Sequence, residues 1–97
     1  MTSKLEGVLQ KNILRWCKSH RDIWIVNIVG SACQETGIPD LIVCKSGKFI
    51  GVELKRPDKK GKTSVAQQVQ LSRIREAGGV GMVIDSFDEF VKLIEEI

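Results

Sequence analysis

Two apolar runs, Leu41 to Cys44 and Phe49 to Leu54, stand on either side of Ser46-Gly47, an arrangement that suits an antiparallel hairpin, although Ser-Gly is a less diagnostic turn than Asn-Gly. With the turn centred on Ser46-Gly47, Lys45 faces Lys48, Val43 faces Ile50, and Leu41 faces Val52. Asp40 then faces Glu53. Directly opposed residues hold their Cβ atoms about 4.5–5.5 Å apart, and the period of two along a strand puts Lys55 on the face of Glu53. Two carboxylates and an amine converge at one end of the hairpin.

Such a pairing has a cost. Two bare charges about 5 Å apart, at an effective dielectric near 20, repel by roughly 3 kcal/mol, more than a favourable cross-strand pair contributes. A divalent cation removes that repulsion, and Mg²⁺ is commonly held by one or two carboxylates together with waters and phosphate oxygens. The pattern therefore suits phosphodiester chemistry. Other readings stay open: Asp40 as the end of the loop after Pro39, Glu53 paired with Lys55 or Arg56, and a register shifted by a three-residue turn or bulge.

The rest of the chain reads as α-β-β-β-α-β-α. Ser3/Glu6, Ser64/Gln67 and Ser86/Glu89 share a helix-start signature, a capping Ser with Glu or Gln three residues on. In the first helix Leu5, Leu9, Ile13 and Trp16 make the buried stripe, while Lys4, Lys11, Arg15 and Lys18 give another face a basic character. Leu71, Ile74 and Ala77 point inward in the second helix until Gly78-Gly79 stops it, and Phe87, Phe90, Val91 and Ile94 pack the third. Ile23 to Val29 and Val80 to Ile84 are the remaining strands. The middle strands are apolar on both sides, so the sheet is expected to be covered on both faces. The last strand follows a helix, which predicts a parallel crossover and a mixed sheet in an α/β layered domain.

Ninety-seven residues, 42% hydrophobic and 28% charged, suit a single domain over residues 1–97. No stretch is long and apolar enough for a membrane span, and the start lacks the pattern of a signal peptide, so an intracellular setting is expected. Cys17, Cys33 and Cys44 are odd in number and widely spaced, which predicts buried reduced thiols and not a zinc or redox site. A net charge of +3 is compatible with a polyanionic partner without requiring one. His20, the single histidine, reads as a surface residue at the end of the first helix, and Trp16 and Trp24 read first as core.

Taken together, Gly37-Ile38-Pro39-Asp40-Leu41, Gly51-Val52-Glu53-Leu54-Lys55 and Ser64-Val65-Ala66-Gln67 resemble the virus-type replication-repair nuclease (VRR-NUC) domain of the PD-(D/E)xK nuclease superfamily. The resemblance spans nearly the whole chain. It implies a restriction-endonuclease-like αβββαβ core with a mixed sheet flanked by helices, plus a C-terminal helix. The catalytic set it implies is Asp40, Glu53, Lys55 and Gln67, with Mg²⁺ (Mn²⁺ substituting) held by Asp40, Glu53, the Leu54 carbonyl and Glu6. Glu6 and Gln67 are ambiguous, because each also completes a capping box.

By the same resemblance the chain is expected to be a metal-dependent, structure-specific DNA endonuclease, of viral or bacterial type and placed in the cytoplasm or nucleoid. Its expected form is a homodimer acting in repair and recombination on branched DNA such as four-way (Holliday) junctions. Lys11, Arg15, Arg56, Lys59, Lys60 and Lys62 are candidate phosphate contacts. A flap or restriction-like duplex endonuclease, or a catalytically idle nucleic-acid-binding module, would use the same residues.

Overall fold

The computed structural model describes residues 4–29, 35–58 and 63–97. Its elements are α1 (Lys4–Lys18), β1 (Ile23–Asn27), β2 (Leu41–Lys45), β3 (Lys48–Leu54), α2 (Val65–Glu76), β4 (Val80–Ile84) and α3 (Phe87–Glu95). They follow the expected order. The four strands lie side by side in chain order, with β1, β2 and β3 antiparallel and β4 parallel to β3. Helix α2 makes the crossover that a parallel neighbour requires.

The hairpin register is the expected one, with Leu41 opposite Val52, Val43 opposite Ile50, and Lys45 opposite Lys48. Ser46 (φ 53) and Gly47 (φ 79) are both left-handed. That combination matches the twist of the flanking strands, whereas an ordinary turn would splay them. β1 is shorter than the predicted Ile23–Val29: it ends at Asn27, and just beyond it the Ile28 amide donates to the Asp40 carbonyl (2.8 Å). The chain leaving β1 thus ties down the backbone that carries Asp40.

The dry core lies on one face of the sheet. Leu41, Val43, Ile50 and Val52 are fully buried there, against Leu9, Ile13 and Cys17 of α1 and Phe90 and Ile94 of α3. In α1 the buried stripe steps four residues at a time from Leu9 through Ile13 to Cys17, so Cys17 takes the deep position predicted for Trp16. Trp16 packs at the rim, edge-on to Phe87 and Phe90 (centroids 6.5 and 6.1 Å). The Ser3 cap and the Leu5 side chain lie outside the described residues.

The opposite face departs from expectation, because it is only half covered. Helix α2 packs on β4 and β3 through buried Leu71 and half-buried Ile74, while Ala77 is exposed at its C-cap and not inward-facing as predicted. Over β1 and β2 there is no helix among the described residues. Trp24 (59% exposed), Val26 and Phe49 (46% exposed) therefore meet solvent, with Trp24 aligned across the strands to Cys44 and Phe49. The reason is dimensional: strands sit about 4.8 Å apart and a helix is about 10 Å across, so one helix shields about two strands. Trp24 is a surface residue and not part of the core. No helix among the described residues is long and apolar enough to cross a membrane.

Candidate active site

β2 and β3 bring Asp40 and Glu53 together. Continuing the ladder one step past Leu41 and Val52 sets Asp40 across from Glu53, and its Oδ2 accepts from the Leu54 amide (2.8 Å). Gly37 explains how the loop before Asp40 reaches this position. Its φ of +86 is a glycine conformation, and a Cβ there would stand 2.4 Å from the Ala66 carbonyl oxygen. The Gly37-Ile38-Pro39 segment can therefore lie directly against the first turn of α2, with Pro39 buried beneath it.

Glu53 is 2% exposed, the one buried charged residue among those described. Its Oε1 accepts from Gln67 Nε2 (2.6 Å) and lies 3.9 Å from Lys55 Nζ. Its Oε2 is buried and finds no hydrogen-bond partner among the described residues. Its pKa is pushed up to about 8. Burial is the main cause; the charge of Asp40 and the hydrogen bond that a protonated Glu53 can give Asp40 add to it, as does the charge of Glu6, while Lys55 acts in the opposite direction. The two acids thus share one side of the sheet and feel each other strongly.

Gln67 completes the capping box and at the same time bonds the candidate site residues Glu53 and Lys55. Its amide nitrogen accepts nothing and donates to Glu53, while Oε1 accepts from the Ser64 amide (2.8 Å) and from Lys55 Nζ (3.2 Å). The Ser64 hydroxyl in turn accepts from the Gln67 amide (3.2 Å), which closes the capping box. One side chain therefore ties the start of α2 to both the acid and the amine of β3. Neither Ser64 nor the Leu54 amide stood out as a site group from sequence; the Ser-x-x-Gln pattern was the signal for the first, and nothing local marks the second.

These residues suit a divalent cation. A buried carboxylate oxygen without a partner, facing a second carboxylate, is the donor set that such an ion completes. Among the described residues no three acidic, histidine or cysteine side chains form a ready cage. Two carboxylates suffice for Mg²⁺, which keeps several waters and takes substrate oxygens. Glu6 lies in the first turn of α1, half-buried, and its charge reaches Glu53.

No family model matches the chain, and no curated protein matches it in sequence. Solved structures do. One described as a VRR_NUC domain superposes at a TM-score of 0.76 with 26% identity, over 96% of this chain and 97% of that one. The chain folds as a VRR-NUC domain. A second, described as a VRR_NUC domain protein, reaches a TM-score of 0.79 at 19% identity, over 99% of this chain and 89% of the other. The VRR-NUC fold points to a nuclease of the PD-(D/E)xK type.

Around this VRR-NUC centre the other candidates fall in different places. Lys11 and Arg15 are exposed on α1. Arg56 is engaged by Asp58 (2.7 Å), and Lys59, Lys60 and Lys62 lie outside the described residues. His20 Nδ1 sits 2.7 Å from the Trp16 carbonyl oxygen, half-buried at the end of α1. Cys17 and Cys44 are free thiols; burial pushes Cys17 up to about 11 and so keeps it protonated. Cys33 lies outside the described residues.

Proposed function

We propose that this VRR-NUC domain is a metal-dependent DNA endonuclease that hydrolyses phosphodiesters at branch points, four-way junctions among them. The observation that carries the reading is the convergence of Asp40, Glu53, Lys55 and Gln67 at one end of β2 and β3. Asp40 and Glu53, with the Leu54 carbonyl, would hold Mg²⁺ or Mn²⁺, and Glu6 would add its charge from the first turn of α1 without completing a three-carboxylate cage. When bound, such an ion supplies an acidified water and offsets charge on the reacting phosphate.

The chain's own groups do the rest. Gln67 holds Glu53 by Oε1, which leaves Oε2 for the ion, and at the same time accepts from Lys55. Lys55, 13% exposed at its side chain, is thereby aimed into the site with a proton to donate to the phosphate or to orient the attacking water. Asp40 is kept in place by the Leu54 amide. Lys11, Arg15 and Arg56, with Lys59, Lys60 and Lys62, would contact the DNA backbone. A second copy of the chain would cover the exposed strip of Trp24, Val26 and Phe49 and bring a second site to the branch.

The test is direct. Purified protein is incubated with four-way junction, flap and linear duplex DNA in Mg²⁺, Mn²⁺ or EDTA. Metal-dependent nicks in the junction are expected. Equal cutting of all three DNAs would replace the branch reading with a duplex endonuclease, and binding without products in either metal would leave only an idle module.

A further inference from the structure

Beside the basic face of α1 runs a groove of about 430 Å³ lined by Asn12, Arg15, Trp16, Ser19 and Phe87. Its size falls within the roughly 300–1,000 Å³ of small-ligand sites. The walls are of two kinds. The Trp16 and Phe87 rings stand nearly perpendicular to one another, and Asn12, Arg15 and Ser19 add an amide, a guanidinium and a hydroxyl. The two banks also differ in charge. On the α1 side Lys11, Arg15 and Lys18 are exposed, with no acid between Glu6 and Asp22; on the α3 side Asp88 and Glu89 are exposed directly after Phe87.

We propose that this groove holds one unpaired nucleobase of the DNA, with the phosphate of that nucleotide on Arg15, so that branch points are preferred over continuous duplex. The inference rests on the nuclease reading and adds to it the feature that selects the substrate. A polyanionic strand tracks the α1 bank and is turned away by Asp88 and Glu89, so the uncharged base is the part that enters. Aromatic walls accept any base, since each has a π-face. In an intact duplex every base is stacked and paired, whereas a base already unpaired, at a bulge, a flap or an opened branch point, costs least to move aside. A helical rise of about 1.5 Å per residue puts Asn12 about 9 Å and Arg15 about 14 Å along α1 from Glu6. At about 3.4 Å per nucleotide, that is roughly three to four nucleotides along α1 from Glu6.

The experiment uses the wild-type chain in EDTA, where cleavage does not obscure binding. A duplex carries one 2-aminopurine, either paired or unpaired as a single-base bulge. The bulged DNA is expected to bind about tenfold tighter, the scale of one base–aromatic stack, with a change in 2-aminopurine emission that the paired probe does not show. Asn12→Trp, which fills the groove from an exposed helix position, is expected to remove that preference; the wild-type comparison decides the matter even if this variant folds poorly. Equal affinity with unchanged emission would overturn the groove's role. The nuclease reading fails separately, if the same DNAs supplied with Mg²⁺ are bound and left uncut.

Discussion

The two faces of the sheet are built from the same strands, alternating residue by residue, yet they satisfy opposite requirements. On the face under α1 and α3, Leu41, Val43, Ile50 and Val52 are fully buried in a continuous apolar core. On the other, β3 presents Phe49, Gly51, Glu53 and Lys55, and the one helix there leaves β1 and β2 open. The first face keeps the chain folded. The second holds a buried carboxylate whose pKa is pushed up to about 8, a burial cost that an apolar residue would not carry. If the second face carries the proposed chemistry, stability and cleavage rest on residues that are neighbours along one strand, and single substitutions can separate them.

The largest separation is expected from Lys55→Ala. Cleavage should fall by about 10²–10⁴-fold, the usual scale for losing a positioned proton donor or a charge-stabilising group. DNA affinity should change little, and thermal stability should fall only modestly, because the substitution gives up the hydrogen bond to Gln67 and a long 3.9 Å ion pair with Glu53 and leaves the apolar core untouched. The matching change one face over is Ile50→Ala, expected to cost about 2–5 kcal/mol in denaturant titrations through the cavity it leaves. Metal-dependent cleavage by the fraction that remains folded should persist. If Lys55→Ala still cuts at the wild-type rate, the chemical role of this face is lost.

Glu53 gives the comparison a pH dependence. Its folded pKa of about 8 lies above the ordinary value of 4.5, so the folded chain keeps a proton that the unfolded chain releases. The contribution of Glu53 to stability is therefore fully present below about pH 4.5, declines as pH rises towards 8, and is gone beyond. Metal binding runs the other way, since it needs the ionised form. Thermal melts in EDTA at pH 5 and pH 8.5 should show this loss, and Mg²⁺ should restore stability at pH 8.5. Glu53→Gln should flatten the profile and abolish the Mg²⁺ effect; a wild-type slope in that variant would show that the buried charge lies elsewhere.

How far these features could be read from residues alone follows from range. The hairpin was legible because its turn chemistry and its alternation are local, and the register they fix carries Asp40 to Glu53. Gln67 was legible in two incompatible ways, and only the approach of α2 to β3 shows that the cap and the site share one side chain. The clamp of the Leu54 amide on Asp40 left no trace in local pattern. Nor did the half-covered sheet: Trp24 and Phe49 look like core by composition, and their exposure depends on how wide a single helix is. Cys17 replaced Trp16 in the core by a shift of one residue around α1, a difference too fine for a stripe drawn from hydrophobicity.

The smallest effect on the folded chain, and the sharpest use of the contrast, is expected at Trp24. Because it is 59% exposed, Trp24→Ser should change monomer stability by no more than about 0.5 kcal/mol, as surface substitutions generally do. If a second copy covers this strip, the same substitution removes its largest apolar anchor, and losing such an anchor typically costs about 2 kcal/mol or more of association. The dimer should then dissociate at concentrations where the wild type stays paired, measured by light scattering after size-exclusion chromatography. Paired nicks in a four-way junction should become single nicks. A wild-type chain that is monomeric at every concentration would show instead that the strip meets solvent or DNA and that one site acts alone, which would leave the carboxylate chemistry intact and remove only the pairing of cuts.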